Sequence, residues 1–277
     1  MIVGIDIGST ITKAVSVECG RVTNQVKTKA MDAVTSATGA FGKMLVENKI
    51  RLSDIEKIRI TGAGSAKIKD DIFGIPTEKV DEVTAIGVGG LFLAQTEAGL
   101  SPEHPIIITN IGTGTILIEA SGEKIAHLGG SGVGGGTILG LAKRLLSLSA
   151  FNDIMETAKD GNRKTVDLLL EDIMESDISF LSRESTAANF GKMLDTAKNE
   201  DIALSILALV FEVIGMLSIF AARGNRIDNV LITGSGSDNP IGREILDQVA
   251  SMYRINFVYP SFAQYTTAIG AGLVRLP

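Results

Sequence analysis

The sequence predicts an α/β protein of two lobes with a ligand cleft between them, and three observations carry that reading. Strand-like runs alternate with helical runs along the whole chain, as they do where helices cross over a largely parallel sheet. Glycine-rich turns fall at the ends of the strand-like runs, where open α/β sheets bind their ligands. The opening run Gly4-Ile5-Asp6-Ile7-Gly8-Ser9-Thr10 is echoed in mid-chain by Asn110-Ile111-Gly112-Thr113-Gly114-Thr115, so the architecture is duplicated.

The elements follow in order. Residues 1–22 read as strand, tight turn, strand: residues 12–17 alternate as a half-buried strand does, and Gly20-Arg21 suits a hairpin. Residues 33–48 carry helical spacing, and 55–61 are β-like and end at Gly62-Ala63-Gly64. After a short strand, 81–98 form a helix rich in Gly and Ala for close packing. The second half repeats this order with strands at 106–110, 115–119 and 124–128, then glycines leading into a helix from about Thr137. Residues 153–175 and 201–222 read as helices, and 229–233 as a strand ending at Gly234-Ser235-Gly236. No low-complexity linker intervenes, so the turn Gly99-Leu100-Ser101-Pro102 divides the chain into lobes 1–100 and 101–277.

Composition narrows the function. With 277 residues and 45% hydrophobic content the chain buries a full core. The net charge of −6 and the lack of any Lys/Arg run argue against nucleic acid. An anionic nucleotide would have to be held by backbone amides, a metal and a few cations. Cys19 is the single cysteine, which excludes a disulfide framework and a cysteine zinc or iron-sulfur site from one chain, and points to the cytoplasm. No secretory signal is expected from an N-terminus that enters a strand directly. Residues 203–222 are apolar enough to span a bilayer, but Glu212 sits at their middle without flanking aromatic belts. The expectation is a core or subunit-interface helix, with Leu209 and Phe211 at buried contacts, and no membrane partner.

The two echoed runs read as phosphate-binding hairpins: small residues after a short strand let backbone N–H groups approach an anion, which assigns Gly8, Ser9, Thr10, Gly112, Thr113, Gly114 and Thr115 to a nucleotide. A carboxylate beside phosphates is repelled unless a divalent cation stands between them, so Asp6 points to Mg²⁺ and the pair to Mg-ATP. The densest glycine stretch, Gly129 to Thr137, runs into the apolar Ile138-Leu139. Gly132, Gly134, Gly135, Gly136 and Thr137 there read as free N–H donors and a helix N-terminus for the nucleotide, without the lysine of a Walker loop. Gly234 and Ser235 line the same ligand. Lys13 is either a solvated lysine or a cation reaching the terminal phosphate across the hairpin. In Val80-Asp81-Glu82-Val83 either carboxylate suits a helix cap or a first-turn charge, and Glu82 is alternatively a catalytic group.

GIDIGSTITK, VDEV, NIGTGT, HLGGSGVGGGTILGL, GNRKTVDLLLEDI and TAANFG together resemble segments found in the same order in the type II (eukaryotic-like) pantothenate kinases. The resemblance covers nearly the whole chain. The GGGT-x-x-GL pattern with AANFG is specific to that group, while the first loop is shared across the actin/hexokinase/heat-shock ATPase superfamily. It implies a two-lobed actin-like ATPase fold with duplicated ribonuclease H-like lobes, ATP in the cleft, a homodimer, and phosphorylation of a primary alcohol as the first step of coenzyme A synthesis. It also implies that Glu82 is the general base. Two positions depart from the family: His127 stands where an arginine contacts the pantothenate side, and Ile116 where a serine faces the acceptor. Lys124 is the nearby cation that would compensate. The alternatives are an activator ATPase of the 2-hydroxyacyl-CoA dehydratase type, which shares the GIDIGST-like opening but needs cluster cysteines, and a non-catalytic binder of a coenzyme A-related metabolite.

Overall fold

The computed structural model describes residues 1–175 and 182–275. The first sheet contains β1 (Ile2–Ile7), β2 (Ile11–Glu18), β3 (Arg21–Lys29), then, after helix α1 (Ala33–Glu47), β4 (Lys57–Thr61) and β5 (Thr77–Lys79). Its order is β3-β2-β1-β4-β5, with an antiparallel β1-β2-β3 meander and β4 and β5 parallel to β1. Helix α2 (Glu82–Ala98) leads to the second sheet, begun by β6 (Ile106–Ile111), β7 (Thr115–Ser121) and β8 (Lys124–Ser131). Then come α3 (Gly135–Leu146), α4 (Phe151–Ala158), the short pair β9 (Leu168–Leu169) and β10 (Thr186–Ala188), and the long α5 (Asn199–Asn225). β11 (Asn229–Thr233), α6 (Pro240–Tyr253), β12 (Asn256–Val258) and α7 (Thr266–Leu273) complete the described chain. The second sheet, read as β8-β7-β6-β11-β12, repeats the order and strand directions of the first.

Burial explains the strand patterns. β1 and β6 lie inside their sheets with both faces covered, so IVGIDI and IIITNI are nearly continuous apolar runs. β3 lies at an edge and alternates exposed with partly buried residues. Helix α1 starts at Asp32, whose side chain accepts the Thr35 N–H, and lays Ala37, Ala40, Phe41 and Met44 against Val3, Ile5, Ile58 and Ile60. α5 packs its Ile206, Leu207, Val210, Phe211 and Ile214 into the core of the second lobe, so the apolar run is a core helix that is also long enough to cross a membrane by composition.

The two halves exchange helices: α2 lies against β6, β7 and β8, whereas α7 returns to β1, β2 and β4. The exchanged helices cross at glycine. A Cβ on Gly270 would stand 1.7 Å from the Ala85 carbonyl oxygen, and one on Gly89 2.0 Å from that of Thr266. Only a residue without a side chain admits this approach.

Some elements differ from the sequence reading. The helix expected over 153–175 ends at Ala158, because Gly161 turns the chain against α5 and Asp201 there accepts the Asn162 N–H (2.7 Å) and the Thr165 hydroxyl (2.8 Å). Tertiary hydrogen bonds replace the helical ones. The glycine stretch is also not one loop: β8 runs through Gly129, Gly130 and Ser131, and α3 begins at Gly135. Gly130 pairs with Ile116, and a Cβ there would lie 2.6 Å from the Thr115 carbonyl. Phe211 is fully buried in the second lobe and Leu209 partly buried, so Phe211 is a core residue; the outward side of α5 is Val213, Met216, Leu217 and the exposed Phe220.

Candidate active site

The β1-β2 and β6-β7 hairpins face each other across a cavity of about 870 Å³. Gly8, Ser9, Thr10, Gly112, Thr113, Gly114 and Thr115 all line it, and the loops touch where the Ser9 and Thr113 hydroxyls share a hydrogen bond of 2.7 Å. Behind each hairpin a strand ends in the same glycine turn. Gly62 after β4 and Gly234 after β11 both have φ of 83°, and Cβ atoms there would strike Asp6 and Ile111 respectively. Gly234 and Ser235 reach the cavity from this turn.

The two hairpins differ in charge. Asp6 sits opposite Lys13 in the β1-β2 register, and their side chains pair at 3.6 Å, both nearly inaccessible. The corresponding places in the second hairpin are Asn110 and Ile116, also register partners. Asn110 accepts a bond from the Thr233 hydroxyl at 3.1 Å. The duplicated scaffold therefore carries one charged and one neutral hairpin. Burial raises the proton affinity of the Asp6 carboxyl, with Lys13 acting against it.

Helix α2 separates the two acidic candidates. Asp81 is its N-cap, accepting from the Thr84 N–H at 2.9 Å and the Thr84 hydroxyl at 3.0 Å. Glu82 is the first helical residue, lines the cavity and has no hydrogen bond or ion pair among the described residues. Its pKa is raised, first by burial and then by the nearby Asp6 and Asp81, against a lowering by Lys13. A carboxylate unpaired yet ionisable is what a proton acceptor requires.

The glycine segment works differently from its sequence reading. The Gly135 and Gly136 N–H groups donate to the Gly112 and Thr113 carbonyls at 2.9 Å each, and the Gly134 N–H donates to the Thr137 hydroxyl at 3.2 Å. Thr115 donates to the Val133 carbonyl at 2.8 Å. The α3 N-terminus thus braces the β6-β7 hairpin, and its first amides are not free donors. Gly135 and Gly136 still line the cavity; Gly132, Gly134 and Thr137 do not.

On the acceptor side, Ile116 lines the cavity. His127 lies outside it, exposed on β8 opposite Ile118, two residues from Ile125, which packs on Gly87 of α2. Lys124 is exposed and pairs with Glu119 at 3.2 Å. Beyond the two hairpins the cavity becomes apolar, walled by Ile138, Leu139, Phe151, Met155, Phe211 and Pro240. The sequence reading missed Phe151 and Met155, although their i,i+4 spacing was visible, as well as Lys27 and Gln264, which meet across the cavity at 3.0 Å. One β-strand register shift between Ser16 and Val17 hid the placing of Lys27 opposite Lys13.

The described residues hold no group of three or more His, Cys, Asp or Glu suited to a metal. A single buried carboxylate aimed at a phosphate site fits Mg²⁺, which keeps most of its waters and is bound through one or two carboxylates plus substrate phosphates.

Fold and site together define a two-lobed, actin-like nucleotide-binding protein. Among solved structures, the activator of the 2-hydroxyisocaproyl-CoA dehydratase from Clostridium difficile with bound ADPNP matches with a TM-score of 0.66 at 19% identity, over 98% of this chain and 92% of that one. A ROK family glucokinase from Streptomyces griseus, in complex with glucose and AMPPNP, matches at 0.61 and 14%, over 98% and 97%. At those identities the likeness shows the fold. The family model named Fumble matches residues 2–273, and the chain belongs to that family. A type II pantothenate kinase from Bacillus anthracis is 32% identical over 250 residues, 86% of this chain and 84% of that protein. Another from Staphylococcus saprophyticus is 29% identical over 259 residues, 92% and 91%.

Proposed function

We propose that the chain is an ATP-dependent kinase that phosphorylates the primary hydroxyl of pantothenate or a closely related alcohol, the first step of coenzyme A synthesis. The observation that carries this reading is Glu82, unpaired at the head of α2 in the cavity that also holds both phosphate hairpins. The type II pantothenate kinases among its relatives supply the acceptor class. ATP lies with its phosphates between Gly8 to Thr10 and Gly112 to Thr115, its base in the apolar slot, and Lys13 beside the terminal phosphate. Glu82 takes the proton of the acceptor hydroxyl as that oxygen bonds to the γ-phosphorus. The bond from the γ-phosphorus to the bridging oxygen breaks, and its electron pair leaves with ADP. Asp6 would hold Mg²⁺ with the phosphates, where the ion supplies charge neutralisation. Positioning and electrostatics supply most of the acceleration in such transfers.

The lobes divide near residue 100, and the enzyme works as a cytoplasmic homodimer joined through the outward side of α5. Mg-ATP consumption by the pure protein with pantothenate, pantetheine and several sugars tests the assignment. Pantothenate-dependent ADP release supports it. No acceptor-dependent release would favour a binding role, and acceptor-independent hydrolysis with visible iron-sulfur absorbance would favour the activator class, for which Cys19 supplies one thiolate per chain.

A further inference from the structure

Three lysines line the cavity, and two of them have a carboxylate partner: Lys13 pairs with Asp6 at 3.6 Å, and Lys159 with Glu156 at 2.5 Å in an exposed pair one turn apart on the chain. The third, Lys27 on β3, has a neutral partner, the Gln264 amide oxygen, at 3.0 Å. Its backbone is fixed, because the Lys43 ammonium donates to the Lys27 carbonyl at 3.1 Å. Lys27 is also the register partner of Lys13, so their Cα atoms stand about 5 Å apart on one face of the sheet. A nucleotide triphosphate brings several negative charges into a cavity that already holds the unpaired Glu82. The uncompensated cation is therefore placed where phosphate charge must be balanced.

We propose that Lys27 is a further nucleotide-phosphate ligand, its ammonium turning from Gln264 to the β- or γ-phosphate when ATP binds. The inference rests on the reading of the cavity as an ATP site. Position favours phosphate over the acceptor. Gln264 lies in the 3₁₀ turn Ala263–Tyr265, which is tied to the nucleotide-side turn by the bond from the Gly234 N–H to the Ala263 carbonyl at 2.9 Å. The acceptor-side Ile116 belongs instead to β7, against which α2 packs.

Equilibrium binding of Mg-ATP, Mg-ADP and adenosine to the whole protein, without acceptor, tests the assignment in wild type, Lys27→Gln and Lys27→Arg. Because Lys27 is exposed, an unchanged apo melting temperature confirms that the variants fold. Lys27→Gln is expected to weaken ATP by about 10- to 100-fold, as loss of one charge-assisted bond does, to flatten the salt dependence, and to leave adenosine unchanged. Lys27→Arg should restore most of the affinity. Equal loss for adenosine and ATP would show that Lys27 only braces the lobes and would overturn the proposal, as would unchanged ATP affinity. A rise confined to the acceptor KM would overturn it too, by moving Lys27 to the other substrate. If wild type itself binds no ATP, the nucleotide reading of the cavity falls as well; if wild type binds and Lys27→Gln binds equally, this inference alone falls.

Discussion

At the scale of single residues, the site depends on carboxylates kept in surroundings that resist their ionisation. Asp6 and Glu82 both hold their protons more tightly in the folded chain than when unfolded. The folded state therefore binds more protons between the ordinary carboxylate value and the raised one, and stability falls as pH rises through that window. At neutral pH each ionised group costs stability that the free enzyme tolerates for function. Glu82→Gln is accordingly expected to raise the apo melting temperature, by about 2–4 °C per kcal/mol recovered, while turnover falls by about 10²- to 10⁴-fold and ATP binding persists. Calorimetry and steady-state kinetics read the two effects, and unchanged turnover would remove Glu82 from the mechanism. In wild type, kcat/KM should decline on the acid side at a pH above the ordinary carboxylate range, as Glu82 becomes protonated. A second expectation concerns the acceptor. With an isoleucine at 116 in the cavity and the imidazole at 127 outside it, pantothenate should be turned over poorly, and Ile116→Ser should raise its kcat/KM by about threefold to tenfold, whereas His127→Arg alone should change little. No gain in Ile116→Ser would point to a different natural alcohol.

At the scale of elements, two helices set the geometry by contact with backbone. α3 donates its first amides to the Gly112 and Thr113 carbonyls, so the β6-β7 hairpin is held in shape by the chain itself. α2 and α7 cross where Gly89 and Gly270 meet backbone, and that crossing joins the helix that presents Glu82 to the helix that starts beside Thr267. Gly270→Ala should cost about 1–3 kcal/mol or more, because the group it would meet is the Ala85 main-chain carbonyl, which cannot move aside as a side chain would. Thermal unfolding of the apo protein measures this. A melting temperature equal to wild type would show that the helices separate easily.

At the scale of the whole molecule, α5 serves two surroundings. Its Ile206, Val210, Phe211 and Ile214 side is sealed in the second lobe, while Val213, Met216, Leu217 and Phe220 form a shallow groove with Thr186 and Asn189. Glu212 beneath that groove is held by Arg163 at 2.7 Å, Thr186 at 2.8 Å and Asn189 at 3.0 Å, so the one acidic residue in the middle of the helix is satisfied from within the chain. The proposed homodimer uses this outward side. Phe220→Asp, at a position 63% exposed, should leave the fold intact and give a monomer by light scattering. Phe211→Asp should instead unfold the second lobe, since its ring is enclosed against Gly242. A wild-type monomer in dilute buffer would end the dimer reading.

The sequence by itself determined the α/β class and the duplication of the two hairpins, because these depend on local patterns: short apolar strands, small residues at their ends, and a repeat visible in mid-chain. It also marked Asp6 and Glu82 by residue type and place, with Glu82 the base that the family resemblance implies, and the Thr84 bonds show that the adjacent Asp81 is the helix cap. Only the tertiary structure decided that the α3 glycines brace a loop, that the helix ends at Ala158 with Asn162 and Thr165 bonded to Asp201, and that Lys27 reaches the cavity. Each depends on a partner far along the chain: Gly112 for Gly135, Asp201 for Asn162, Gln264 for Lys27. A backbone amide or a lysine carries no local sign of which distant acceptor will satisfy it. That choice is made by packing, when the two halves exchange helices and close on one cavity.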